Sequence, residues 1–577
     1  MRLTMQLSLF KGSVPAASNF YYLEHFRLAM EWLRSHYADL LSQRERSFID
    51  NFSHVPRPSQ ALLVRLVMRK GPLFRATKVN YPEIGDIAAA LAPLAERGWI
   101  DDQPKLSVKE LAALLRHAEL MDVFPHLPRR AGTREALELL RPRFTESRTF
   151  QQWCPALPDT VYHLLVEQLC THLRVLFFGS FRQQWSEFVL VDLGLLQYEK
   201  VQLSRHCRPF ESRQDIESFY ALYACARALE AEEPLHSVAE WLPPTRLRSE
   251  WLESRRARLL FEIGRRYERS GAHAAALSLY RQSRHPEARV RAVRILEIQG
   301  RWRQAYATAR RALSRSPTDL EAQRLPRALR RLERRLGLPC AARERLAQPP
   351  RLELAAPQLR PGESIERVAC SLLTTRSAPA FCVENALITS LFGLLCWEAI
   401  FAPVRGAFFH AFQSGPKDFF SPHFVRRRQS IFARCLESLE SGAYGEIIRH
   451  NLRTKRSVQS PLVAWGALSM ELIELALAYI PARHLRLYFE RLLANPARNR
   501  SGLPDLVQFW TDDARYQLIE VKAPGDRLQD NQRRWLDFCL QRQLPIAVCQ
   551  VRWSGAADVC PMPLSIQNSQ PGGSPIT

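Results

Sequence analysis

With 577 residues, 46% of them hydrophobic and 24% charged, the chain has material for about three to four domains and can bury a core in each, which excludes global disorder. A net charge of +23, from 81 Lys and Arg against 58 Asp and Glu, points to a polyanionic partner, nucleic acid ahead of a membrane surface. The plain alternative is a generally Arg-rich proteome. Twelve cysteines without a C-x-x-C pair offer no legible zinc site and argue against a disulfide framework. No signal-peptide core follows Met1, and the best apolar run, Ala386 to Pro403, carries Glu398 and reads as a buried helix. The expectation is a reduced intracellular compartment with no membrane span: cytoplasmic and nucleoid-associated in a bacterium, nuclear in a eukaryote.

Between Asn19 and Phe52, Tyr22, Phe26, Met30, Leu33 and Tyr37 recur at helical spacing. Two further helices, around Ala61–Met68 and Ile84–Ala95, flank a basic turn and close on Arg97-Gly-Trp-Ile, as a winged helix or an ordinary bundle would. Lys105 to Arg116 and Gly132 to Leu140 predict two short helices of SAP type. Ser107 and Thr133 are the expected caps, with Arg129, Arg130 and Arg134 adding charge for DNA phosphates.

Residues 150–345 read as continuous helix. Gly271, Ala276 and Tyr280 are echoed 29 positions later by Gly300, Ala305 and Ala309, as in tetratricopeptide-like pairs, against a non-repeating helical layer. Eight arginines between Arg324 and Arg345 form either a solvated face or a DNA-tracking surface. Pro349-Pro350 and the stretch to Pro361 mark a linker.

The chemistry concentrates near the C-terminus. Leu506 to Trp510 and Gln517 to Val521 predict a hairpin across Thr511–Arg515, with Pro504-Asp505 ahead of it and Glu520-Val-Lys522 at its far end. Alternation puts Glu520 and Lys522 on one face and turns Val521 into the apolar layer. Two carboxylates and an ammonium at one strand end are costly to bury without a cation. A Mg2+ or Mn2+ ion, one or two in number, would satisfy those oxygens and activate water against a phosphodiester. A bland surface hairpin is the alternative. Upstream, Glu384 opens the apolar stretch Phe381 to Phe401 and is the expected additional acidic ligand, with Glu398 as its rival.

Three blocks together resemble the Fanconi-associated nuclease family, whose catalytic module is the VRR nuclease domain: Val383-Glu-Asn through Trp397-Glu-Ala-Ile-Phe, Gln413 through Phe424-Val-Arg-Arg-Arg, and Gly502-Leu-Pro-Asp through Trp535-Leu. The resemblance implies Glu384, Asp505, Glu520 and the Val521 carbonyl as metal ligands, Lys522 as catalytic lysine, and Arg527 near the scissile phosphate. Gln532 and Trp535 match a Q-x-x-W helix behind the site, Gln532 orienting water or a ligand and Trp535 packing in the core. The basic residues Arg426, Arg427, Arg428, Arg498 and Arg500 are candidates for a 5′ phosphate or flap end. No Cys/His cluster precedes residue 150, so the ubiquitin-binding zinc finger of animal members is missing and a bacterial-type member is expected.

The fold class expected is multidomain: mostly α N-terminal and helical-repeat regions, then a C-terminal α/β domain of PD-(D/E)xK type with a mixed central sheet. The divisions are 1–104 (helical or winged-helix-like), 105–149 (SAP-like), 150–348 (helical repeat), 360–560 (nuclease) and 561–577 (flexible tail). The function implied is a 5′-flap endonuclease and 5′-to-3′ exonuclease in interstrand-crosslink repair, acting on branched DNA as a monomer or DNA-induced dimer. Rivals are a Holliday-junction resolvase, a restriction-type endonuclease and a non-catalytic DNA-binding scaffold. Without a G-x-x-x-x-G-K-[ST] loop, ATP has no expected place.

Overall fold

The computed structural model describes residues 20–128, 130, 132–187, 196–203, 208–315, 319–340, 348–360, 362–421 and 423–553. Arg129, Cys207, Arg343, Arg345, Cys560, the start of the chain and the expected tail lie outside the described residues. The chain divides into two compact units, Met1–Ile216 with Phe408–Gln413, and Glu217–Ala407 with Ser414–Thr577.

In the first unit, helices Tyr21–His36, Gln43–Phe52, Arg57–Val67 and Ile87–Glu96 accompany a small antiparallel sheet. Its strands are β1 (Leu73–Arg75), β2 (Ile100–Asp101) and β3 (Val161–Leu164), in the order β1-β3-β2. An all-helical bundle lacks such a sheet. The strand β3 also corrects the reading of residues 150–345 as continuous helix. Four residues paired with strands of three and two are too short to display strand alternation against a helical background.

The SAP-like helices are Val108–Leu114 and Thr133–Leu140. Ser107 caps the first in a capping box with Glu110, but Gly132 occupies the cap of the second, so Thr133 is its first helical residue. Their core includes Leu111, Ala136 and Leu140 and runs on through Phe150 and Trp153, past the expected boundary at 149.

The second unit begins with helical hairpins. Glu250–Arg269 pairs with His273–Gln282, and Ala288–Ile298 with Trp302–Ser314, before the long helix Asp319–Leu336. Gly271 (φ +79) and Gly300 (φ +69) close equivalent turns in a conformation glycine adopts without strain. Ala276, Tyr280, Ala305 and Ala309 are buried in one shared cluster, because small side chains let neighbouring helices approach.

The C-terminal part is built on a mixed sheet of β4 (Arg351–Ala356), β5 (Ala380–Cys382), β6 (Leu506–Trp510), β7 (Arg515–Lys522) and β8 (Ile546–Trp553), in the order β4-β8-β7-β6-β5. The contacts β4–β8 and β7–β8 are parallel; β5–β6 and β6–β7 are antiparallel. The helix Ile365–Leu373 covers one face, its Ala369 and Leu373 packing with Leu506, Ile519, Val521 and Val551. The helix Asp530–Gln541 makes the crossover from β7 to β8. Among the described residues no helix is long and apolar enough to cross a membrane.

Candidate active site

The hairpin of β6 and β7 sets the site. Its register pairs Leu506 with Ile519, so the next position outward places Asp505 opposite Glu520. Directly opposed residues share a face, and Lys522 joins them two residues on. Asp505 is 7% exposed, Glu520 1% and Lys522 9%. Lys522 Nζ lies 2.7 Å from Glu520 Oε1. That approach is an ion pair outside hydrogen-bond geometry, and Glu520 Oε1 keeps no hydrogen-bond donor. Asp505 Oδ2 accepts the Val521 N–H at 2.8 Å, fixing the carboxylate against the strand that carries Glu520.

Electrostatics follow from this packing. Burial pushes the Asp505 carboxyl up to about 6, opposed by the Val521 N–H and the Lys522 charge and reinforced by Glu384 and Glu366. Burial likewise pushes Glu520 up to about 7, with the Asp505 charge raising it further and Lys522 opposing. Two carboxylates held close in a dry pocket resist ionising together unless a cation joins them.

The strand β5 brings in the third carboxylate. Cys382 pairs with Leu506, and the Val383 N–H donates to the Asp505 carbonyl at 2.8 Å. Glu384 therefore sits beside Asp505 despite lying 121 positions earlier in the chain. The expected placement of Glu384 in the first turn of a helix is corrected: it stands in the turn between β5 and the helix Leu387–Leu395. Asn385 there adopts φ +53. Its Nδ2 donates to Glu384 Oε1 at 3.2 Å and its Oδ1 accepts the Leu503 N–H at 3.1 Å. Glu398 is exposed and paired with Arg434 at 3.1 Å.

Do these groups fit a divalent cation? Among the described residues no three His, Cys, Asp or Glu side chains converge into a closed cage. Two buried carboxylates, one of them with an oxygen lacking a donor, and an exposed Glu384 at the rim make an open site instead. That suits a hard cation that keeps water and phosphate oxygens among its ligands.

The remaining candidates divide. Arg527 is exposed in the loop between β7 and the helix Asp530–Gln541. Gln532 Oε1 accepts the Gln529 N–H at 2.9 Å in a capping box, which leaves its Nε2 for other partners. Trp535 is buried and donates to the Asn499 carbonyl at 3.1 Å, a packing role.

Arg428 is the clear correction. It is fully buried, donates to both Asp418 oxygens at 2.8 and 3.0 Å and stacks on Phe424, so no phosphate can reach it. Arg427 pairs with Glu250 and Asp418. Arg426 is exposed. Arg500 is half-buried, donating to the Pro461 carbonyl and lying over the exposed Phe420, while Arg498 is also half-buried.

Sequence reasoning missed Asn385 and Glu366. Asn385 carried a signal, the Asn that follows Glu384 at the entrance to an apolar stretch. Glu366 carried none.

A mixed sheet with an Asp, a Glu and a Lys at adjoining strand ends defines a nuclease of the PD-(D/E)xK class. The VRR-NUC domain model matches residues 439–553, the FAN1 HTH domain model residues 20–101, and the Fanconi anemia-associated nuclease SAP domain model residues 105–153. The first of these matches excludes β4, β5 and Glu384, which the structure adds to the same sheet and site.

A Fanconi-associated nuclease 1 homolog of Pseudomonas aeruginosa is 47% identical over 92% of this chain and 96% of that protein. A homolog from Arabidopsis thaliana is 26% identical over 93% of this chain and 67% of its own length. The solved structure of paFAN1 bound to a 2-nt 5′-flap DNA with a gap matches with a TM-score of 0.88 and 46% identity, covering 93% of this chain and 99% of that one. The chain belongs to the Fanconi-associated nuclease family. It is a DNA nuclease of the VRR-NUC type, a type that uses a divalent metal.

Proposed function

We propose that this chain cuts DNA at 5′ flaps and degrades strands from 5′ to 3′ by metal-dependent attack of water on a phosphodiester, in the repair of interstrand crosslinks. The observation that carries the chemistry is Glu520, 1% exposed, with an oxygen that lacks a donor and faces Asp505 and Lys522. The substrate reading is supported by the relative bound to 5′-flap DNA.

Asp505, Glu520, the Val521 carbonyl and Glu384 would hold Mg2+ or Mn2+. When bound, the ion supplies Lewis-acid polarisation of the phosphate and a nucleophilic water. The chain does the rest. The Val521 N–H holds Asp505 in one rotamer, and Asn385 ties Glu384 to the segment leading into Asp505. Glu520 keeps the Lys522 ammonium at the strand end, where it would steady the attacking water and the charge developing on the phosphate. Arg527, exposed three residues before the next helix, would meet a non-bridging phosphate oxygen. Arg426, Arg498 and Arg500 remain the candidates for a 5′ phosphate.

The test compares wild type with Asp505→Ala on 5′-flap, 3′-flap and four-way-junction DNA in Mn2+. Preferred 5′-flap cutting that vanishes in the variant is expected. Cutting that survives Asp505→Ala removes the mechanism, and preference for the junction removes the substrate reading.

A further inference from the structure

The helix Asp319–Leu336 carries Arg324, Arg327, Arg331 and Arg335 at spacings of three, four and four residues. Such spacing aligns them along one face, over about 16 Å at 1.5 Å per residue. The stripe starts beside the candidate active site. Arg324 and Arg327 pair with Asp530, the first residue of the helix that follows the Arg527 loop, and Gln323 donates to the Asp530 carbonyl.

At its far end the stripe enters a groove of about 450 Å³. Arg331 pairs there with Glu297, but Arg335 lies over the half-buried Trp302 ring at 5.2 Å, and neither it nor the exposed Arg294 has a carboxylate partner among the described residues. Ile298, 57% exposed, and Leu332 supply the apolar wall beside the tryptophan. An aromatic face, an apolar wall and unpaired guanidinium groups are what an unstacked base and its phosphate require. A duplex, with its bases stacked inside, has no use for the tryptophan.

Resting on the reading of the chain as a flap nuclease, we infer that this groove is a second DNA-binding site, which takes the single-stranded arm of a branched substrate. Trp302 stacks on a base, while Arg294 and Arg335 hold the flanking phosphates. The chemical class is single-stranded DNA of any sequence, since every base offers a π face. The groove lies along the helix from Asp530, so a strand of only one or two nucleotides at the active site would not reach it, whereas a longer arm would.

Binding is measured by fluorescence anisotropy without divalent metal, so that cleavage plays no part. Probes carry 5′ flaps of about two or about 15 nucleotides, a span set by single-strand site sizes. Trp302→Ala and the pair Arg294→Glu with Arg335→Glu should each weaken the long-flap probe about tenfold and the short-flap probe less than about twofold. The Arg pair should also lower the salt slope on the long flap by about 1. Trp302→Phe should keep wild-type binding, which separates stacking from loss of fold.

Equal losses on both probes, or none on the long flap, overturn the proposal. So does poly-glutamate that displaces the long flap from wild type and Trp302→Ala alike at equal charge. Failure here leaves the nuclease reading untouched, because that reading stands or falls on cutting by Asp505→Ala.

Discussion

The side chain of Asn385 joins Glu384 to the strand lead that carries Asp505: it donates to the Glu384 carboxylate at 3.2 Å and accepts the Leu503 N–H at 3.1 Å. One amide thus ties together two candidate metal ligands that lie far apart in sequence. Asn385→Asp puts a like charge against Glu384 and removes the donor. Groups that orient metal ligands commonly contribute 10- to 100-fold in affinity or activity. The expected result is a loss of about that size in the Mn2+ concentration for half-maximal cutting, with flap-DNA affinity in chelator unchanged. A parallel loss of metal-free DNA binding would show a general folding defect instead.

Arg428 is expected to act on stability and not on DNA. Removing it strands the buried Asp418 carboxylate, and breaking a buried pair from one side typically costs about 3–5 kcal/mol. Arg428→Ala should therefore lower the denaturation midpoint sharply, while the protein that remains folded binds 5′-phosphorylated and unphosphorylated flaps as before. A selective loss on the phosphorylated flap at unchanged stability would restore the phosphate role.

The raised carboxyls of Asp505 and Glu520 predict a pH dependence of the metal-free protein. Their folded values, about 6 and about 7, lie above the unfolded values of about 4. Folding then favours the protonated forms. The stability they contribute is fully present below about pH 4 and is lost as pH rises through 6 and 7. In chelator, the melting temperature should fall across that range by at least about 3 °C, the equivalent of roughly 1 kcal/mol in a domain of this size. Asp505→Asn should flatten most of the dependence, and saturating Mg2+ should remove it. A melting temperature that rises between pH 6 and 7 in chelator would contradict the buried placement.

Gly502 adopts φ +86, and a Cβ there would lie 2.6 Å from the main-chain carbon of Asn531. The lead into β6 and the start of the crossover helix touch backbone to backbone at this point. Gly502→Ala combines a left-handed conformation with a clash that no side-chain rotation relieves, at a cost of about 2–4 kcal/mol. Because Asp505 is three residues away, cutting should fall more than global stability does. Thermal melts and single-turnover rates on one preparation would check it.

Much of the site was legible before any coordinates. Alternation alone put Glu520 and Lys522 on one face, and a four-residue turn between apolar strands forced Asp505 to return to them. Such statements hold because a hairpin is local: its register follows from turn length and the two-residue period. The eight arginines from Arg324 were legible as a charged face, but not which of them would find partners.

What only the tertiary structure decided involves groups that meet across long stretches of chain. Glu384 reaches Asp505 because β5 pairs with β6 on either side of a large helical insertion. Arg428 reads as one of three equivalent surface arginines until Asp418 closes over it. The strand β3 is invisible without the two short partners that satisfy its backbone. The residue types, the strand period and the charge excess belong to the sequence itself. Which carboxylates lose their water, and which guanidinium groups keep theirs, depends on non-local packing, because burial is a property of neighbours and not of spacing.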